Sequence, residues 1–149
     1  SYGVEEERGI ATVFEPLGIE WEVTEATLDQ AEAITRMSDY LTANGGEIDA
    51  IIGLGDLVTG SIQRVFDQNG IAPGTYVVVG WGNSLDTTQA VMDGYVNAAM
   101  WQDPQAQSYI ALSMAAMVAS GVPAGFNVIT GALYEADTAA VYHAIMGGN

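Results

Sequence analysis

At 149 residues the chain has the length of one domain, and 49% hydrophobic content is enough for a core. Nineteen Asp and Glu against three Arg, with no Lys, give a formal charge of -16, a surface that repels nucleic-acid phosphates and anionic membranes. The absence of cysteine excludes disulfides, thiolate metal sites and a cysteine nucleophile. The single histidine, His143, has no second histidine to complete a zinc site and reads as a structural or surface residue.

In chain order, the spacing of Val4, Ile10, Val13, Phe14 and Leu17 predicts a helix over 4–17, stopped by Gly18. Residues 19–24 alternate apolar and polar, which predicts a strand with one solvated face near a sheet edge. Thr27 is placed to cap a helix to about residue 43, with Ala31, Ile34, Met37 and Leu41 inward and Asn44-Gly45-Gly46 ending it. A continuous apolar run at 50–53 predicts a fully buried strand. The next helix spans 57–69, with Asp56 at its N-terminus and Asn69-Gly70 as its stop.

Val77-Val78-Val79 predicts a second fully buried strand. Ser84 or Asp86 caps a helix carrying Ala90, Val91 and Met92, and Asp93-Gly94 closes it. Residues 95–101 form a short strand, and Asp103-Pro104 opens a long helix to about residue 119. Residues 126–133 read as extended, and the pattern after residue 136 is ambiguous. The longest apolar stretch, 109–118, is interrupted by Ser113 and is too short to cross a membrane.

Helices and strands alternating at this spacing predict an α/β fold: a mostly parallel sheet, right-handed crossovers and helices on both faces. Ligands of such sheets sit at the C-terminal strand ends. Two strands here end in glycine and a polar residue, at Gly53-Leu54-Gly55-Asp56 and at Gly80-Trp81-Gly82-Asn83. Neither has a dinucleotide fingerprint or a phosphate-binding loop with its lysine, so the reading is a binding protein without cofactor, and not an enzyme.

Four motifs at matching intervals carry a resemblance: Gly55-Asp56, Trp81-Gly82-Asn83, Asp93-Gly94 and Gln102-Asp103-Pro104. The chain resembles the C-terminal lobe of type I periplasmic solute-binding proteins, the ribose- and galactose-binding receptors of ABC transporters. The resemblance implies a flavodoxin-like lobe, one of two that clamp a small polar solute, a sugar, and deliver it to a membrane permease. It also implies a periplasmic or extracytoplasmic location. The effector domain of lactose-repressor-type transcription regulators shares the fold and is the second reading.

In that family Asn-Asp, Phe-Asp-Gly and Gln-x-Pro motifs hold the ligand. Here Gly55-Asp56 stands for the first, Trp81-Gly82-Asn83 for the second, and Gln102-Asp103-Pro104 keeps the third. The resemblance therefore implies ligand contacts from Asp56, Trp81, Asn83 and Gln102. Asp56 is either a helix cap alone or a cap that also touches ligand. Trp81 offers an indole face for stacking on a sugar ring. Asn83 supplies an amide or serves as a turn residue. Alternation turns Gln102 toward the ligand and Trp101 into packing.

The resemblance further implies a Val/Ile/Gly-rich strand before Val4, lying between 19–24 and 50–53. Its absence predicts a fragment: residues 1–103 as a C-terminal lobe without its first strand, 104–130 as a helix and strand for the other lobe, and 131–149 as a crossover and tail. The gap would be filled by a strand of another chain, or the sheet would re-order to close it. Ile110, Leu112, Met114 and Met117 are expected to contact groups outside this lobe, from a second chain or the missing lobe.

Overall fold

The structure, a computed structural model, describes residues 2–125 and 131–148. Its elements are α1 (Tyr2–Leu17), α2 (Gln30–Asn44), β1 (Ala50–Gly53), α3 (Asp56–Asn69), β2 (Val77–Trp81), α4 (Leu85–Met92), β3 (Ala98–Trp101), α5 (Pro104–Ala119), β4 (Ala132–Glu135) and α6 (Ala139–Ile145). A short 3-10 turn, Gly45–Glu47, links α2 to β1. The sheet runs β1-β2-β3-β4, with the first three strands parallel and β4 antiparallel to β3.

Two βαβ crossovers in the same direction place α3 and α4 on one face of the sheet. There α2 packs on α3, α3 on α4, and α4 on α6. Ile62, Val65 and Phe66 of α3 and Val91 of α4 close the core over Val78, Ala99, Trp101 and Tyr134 of the strands. The other face carries Val77, Met100 and Leu133, which are 56%, 38% and 63% exposed. Helix α1 approaches that side through a contact between Glu6 and Trp81. One-sided cover explains why β1 is half-buried where its apolar run predicted full burial.

Residues 19–24 are the clearest departure: they form no strand, and Ile19 and Val23 are 44% and 50% exposed. Alternation marks a segment able to pair, but a strand exists only where a neighbour takes its backbone groups. The outer edge of β1 has no ladder partner among the described residues, so the sheet begins there as an open edge and is not re-ordered to close it.

Helix ends follow local chemistry with one shift. Asp29, not Thr27, caps α2, its carboxylate accepting the Glu32 N–H at 2.9 Å, while the Thr27 hydroxyl accepts the Asp29 N–H. Gly70 closes α3 at φ 66°, a left-handed conformation that glycine adopts without a Cβ penalty. β3 starts at Ala98 instead of residue 95, because the Asn97 side-chain oxygen accepts the Val78 N–H at 2.7 Å and ends the turn there. Of the extended segment expected over 126–133, residues 126–130 lie outside the described residues, and Ala132–Glu135 forms β4. The tail folds as α6, whose Ala139 is buried against the core.

Helix α5 contains no buried residue, and its Tyr109 and Leu112 are 75% and 72% exposed. Of the residues expected to meet groups outside this lobe, Ile110 and Met114 are half-buried and Leu112 and Met117 are exposed.

The ion pairs among the described residues, Arg8–Glu5 and Arg36–Glu32, are exposed and within single helices, so they do little to offset the acidic surface. Self-repulsion should therefore weaken the fold at low salt. Raising NaCl from ~0.01 M to ~1 M shortens the screening length from ~30 Å to ~3 Å and should raise the melting temperature. A melt followed by circular dichroism that is flat or falling over this range would contradict the repulsion argument.

Candidate functional site

The C-terminal ends of β1, β2 and β3 meet at one rim, and Asp56 organises it. Asp56 sits in the first turn of α3, where it was expected to cap its own helix; the cap position is instead Gly55, which makes no side-chain cap. Asp56 Oδ1 accepts three hydrogen bonds from the β2–α4 connection: Asn83 N at 2.8 Å, Ser84 Oγ at 3.0 Å and Thr87 Oγ1 at 2.8 Å. Ser84 in turn caps α4 by accepting the Thr87 N–H. The carboxylate thus ties two strand-to-helix loops together, and charge makes each of these bonds stronger than a neutral one.

Asn83 continues the chain of bonds. Its Oδ1 accepts the Gln102 N–H at 2.9 Å, fixing the end of β3 to the loop after β2. The Gln102 carbonyl accepts from Gln107 Nε2 at 2.6 Å, and Asp103 caps α5 by accepting the Ala106 N–H. Asp103 holds a left-handed backbone, φ 39°, which Asp tolerates better than most residues. Asp56, Asn83 and Gln102 are therefore brought together as one hydrogen-bonded row.

Trp81 stands apart from that row. Alternation along β2 turns it to the face opposite Val78, where its Nε1–H donates to Glu6 Oε1 at 2.5 Å. The indole is half-buried and lies outside the core cluster. Trp101, one strand over, is 6% exposed and packs against Tyr142 with ring centroids 5.2 Å apart, as alternation predicts.

Tyr134 is the residue that the sequence did not single out. It is buried, stacks on Tyr142, and its hydroxyl donates to the Gly82 carbonyl at 3.2 Å. Burial, followed by the negative charge of Asp56, then Tyr142, holds its hydroxyl well above the usual tyrosine range, so it stays protonated and able to donate. Its position explains the glycine at 82: a Cβ there would collide with the Tyr134 hydroxyl, Ala99 Cβ and Thr87 Cγ2. A tyrosine from the antiparallel strand fills the space that a strand-end side chain would need.

A cavity of about 250 Å³ adjoins Asp56, lined also by Gln30, Leu57, Gly60, Ser84 and Asp86. Trp81, Asn83 and Gln102 do not line it. No cluster of three or more His, Asp or Glu residues poised for a metal exists among the described residues. His143 has a structural role, with its Nδ1 2.8 Å from Thr88 Oγ1, joining α6 to α4.

A sequence profile described as periplasmic binding protein domain matches residues 4–123. The chain belongs to this family. Its fold agrees with that membership. A galactofuranose-binding protein superposes with a TM-score of 0.79 at 20% identity, over 97% of this chain and 51% of that one. The periplasmic component of the arabinose ABC transporter from Shewanella sp. ANA-3, bound to L-arabinofuranose, gives 0.79 at 18%, over 96% and 49%. A solute-binding protein from Bacillus halodurans C-125 with bound myo-inositol gives 0.70 at 22%, over 80% and 41%.

The family is one of binding proteins, and the chain spans about half the length, or less, of these structures. A comparison with curated protein sequences finds no match.

Proposed function

We propose that this member of the periplasmic binding protein family forms one lobe of a two-lobe receptor. It captures a small neutral polyol, a sugar, at the C-terminal rim of its sheet and passes it, chemically unchanged, to an ABC-transporter permease outside the cytoplasmic membrane. The observation that carries this reading is the row Asp56–Asn83–Gln102 across three parallel strand ends, with the Trp81 indole at the same end of β2. Planar polar groups suit hydroxyls, and an aromatic face suits the C–H side of a ring.

Within this reading Asp56 acts mainly by positioning, since Oδ1 is occupied by its own loop. Asn83 and Gln102 present amides, and Trp81 stacks. Residues 1–103 make the lobe, and the exposed helix α5 within 104–130 serves the second lobe. The solved relatives described above are transport receptors or sugar-binding proteins, which favours this reading over the effector domain of a regulator.

Calorimetric titration with L-arabinose, D-galactose and myo-inositol tests it. The full-length protein should bind at least one of them, and Trp81→Ala should weaken that binding by about tenfold or more. Unchanged affinity in Trp81→Ala would remove stacking from the account, and silence of all three titrations would remove the polyol.

A further inference from the structure

The peptide between Gly82 and Asn83 is gripped at both of its polar groups. Its N–H, that of Asn83, donates to Asp56 Oδ1 at 2.8 Å. Its C=O, that of Gly82, accepts the Tyr134 hydroxyl at 3.2 Å. The two side chains come from different elements, α3 and β4, and neither is close to the peptide in sequence. Just before it, the Gly82 N–H donates to the Met100 carbonyl of β3 at 2.9 Å. A peptide group is a rigid plane, so holding its oxygen and its hydrogen from two sides fixes the orientation of the whole unit.

The two grips match the polarity of the plane, with a donor at the carbonyl end and an anion at the N–H end. Burial first, then the charges of Asp56 and Tyr142, keeps the Tyr134 hydroxyl protonated, so it faces the carbonyl as a donor. Tyr134 is 1% exposed and stacked on Tyr142, which keeps it from reaching a solute itself. What the plane carries is the next side chain, Asn83. Its Oδ1 is committed to the Gln102 N–H, so Asn83 meets a solute through its NH2 group, as a donor.

We propose that Tyr134 is a positioning residue of the solute site: by holding the Gly82 carbonyl it sets the 82–83 peptide plane and so aims the Asn83 amide across the strand ends. Without the hydroxyl, the plane is held from the Asp56 side alone. The Asn83 NH2 then spends part of its time in directions that miss the solute, and affinity falls although no solute contact has been removed. This inference rests on the solute-binding reading above and adds to it a residue that never touches the solute.

Tyr134→Phe removes one oxygen and keeps the ring. In the full-length protein, calorimetry with L-arabinose, D-galactose and myo-inositol should show affinity about tenfold lower in Tyr134→Phe. In an Asn83→Ala background the same change should cost little further affinity, because the group it aims is gone. Hydrogen exchange gives a second reading that needs no solute. The Asn83 N–H should exchange about tenfold faster in Tyr134→Phe, while the Val78 N–H, earlier in the same strand, keeps its protection. Parent-like affinity in Tyr134→Phe, or an equal loss with and without Asn83, would overturn the positioning role while the solute-binding reading stood. Exchange that is unchanged at Asn83, or faster at Asn83 and Val78 alike, would do the same. So would a Tyr134→Phe protein that does not fold, since Tyr134 would then serve the core alone. If the parent protein binds none of the three, the solute-binding reading fails and the positioning role falls with it.

Discussion

Gly82→Ala should be among the most damaging single substitutions in this protein. An added Cβ meets the Tyr134 hydroxyl and lies 2.7 Å from Ala99 Cβ and 2.8 Å from Thr87 Cγ2, all on rigid elements. None of these can retreat without moving β3, α4 or β4, and overpacking of this kind costs about 1–3 kcal/mol or more. Urea denaturation should show the midpoint falling with little change in slope. Tyr134→Phe removes one of the three obstacles. The double variant should therefore lose less stability than the sum of the two single changes. Strict additivity would show that Tyr134 is not what keeps residue 82 a glycine.

The second large effect belongs to Asp56→Ala. Three donors converge on one carboxylate oxygen, and removing it leaves the Asn83 N–H and the Ser84 and Thr87 hydroxyls to find other acceptors in a half-buried rim. Hydrogen bonds to a charged group are each worth about 1.5–3 kcal/mol, though they are not additive when shared by one atom. A total loss of about 3 kcal/mol is expected, with solute affinity falling as the loop that carries Asn83 loosens. Asp56→Asn keeps an acceptor and should sit between the parent and Asp56→Ala. If Asp56→Ala melts like the parent, the carboxylate is not the tie between the two loops.

These two sites mark where local reading of the sequence stops. Val77-Val78-Val79 and Ala50 to Gly53 announced strands because an apolar run between turn residues has few other fates. The caps Ser84 and Asp103 were legible because a cap acts on its own next turn. Asp56 looked like another cap by the same rule, but its partners lie 27 to 31 residues away, beyond any local window. Tyr134 is invisible for the same reason: its meaning comes from Gly82, 52 residues earlier. Residues 19–24 fail in the opposite direction, since their alternation is sound but no strand among the described residues pairs with them. Trp81 was legible as the residue that ends its strand, but nothing local pointed to Glu6 as its companion.

The antiparallel return of β4 has a mechanical meaning. The chain leaves the sheet after Trp101 to build α5 and is back in register beside that same residue at Ala132. A second lobe docked on α5, as proposed above, would be strapped to the sheet at two adjacent points, not one. Two side-by-side straps permit bending about the line that joins them and resist swivelling around either. The first of them begins at Gln102, so any such bending pivots on the residue proposed to touch the solute.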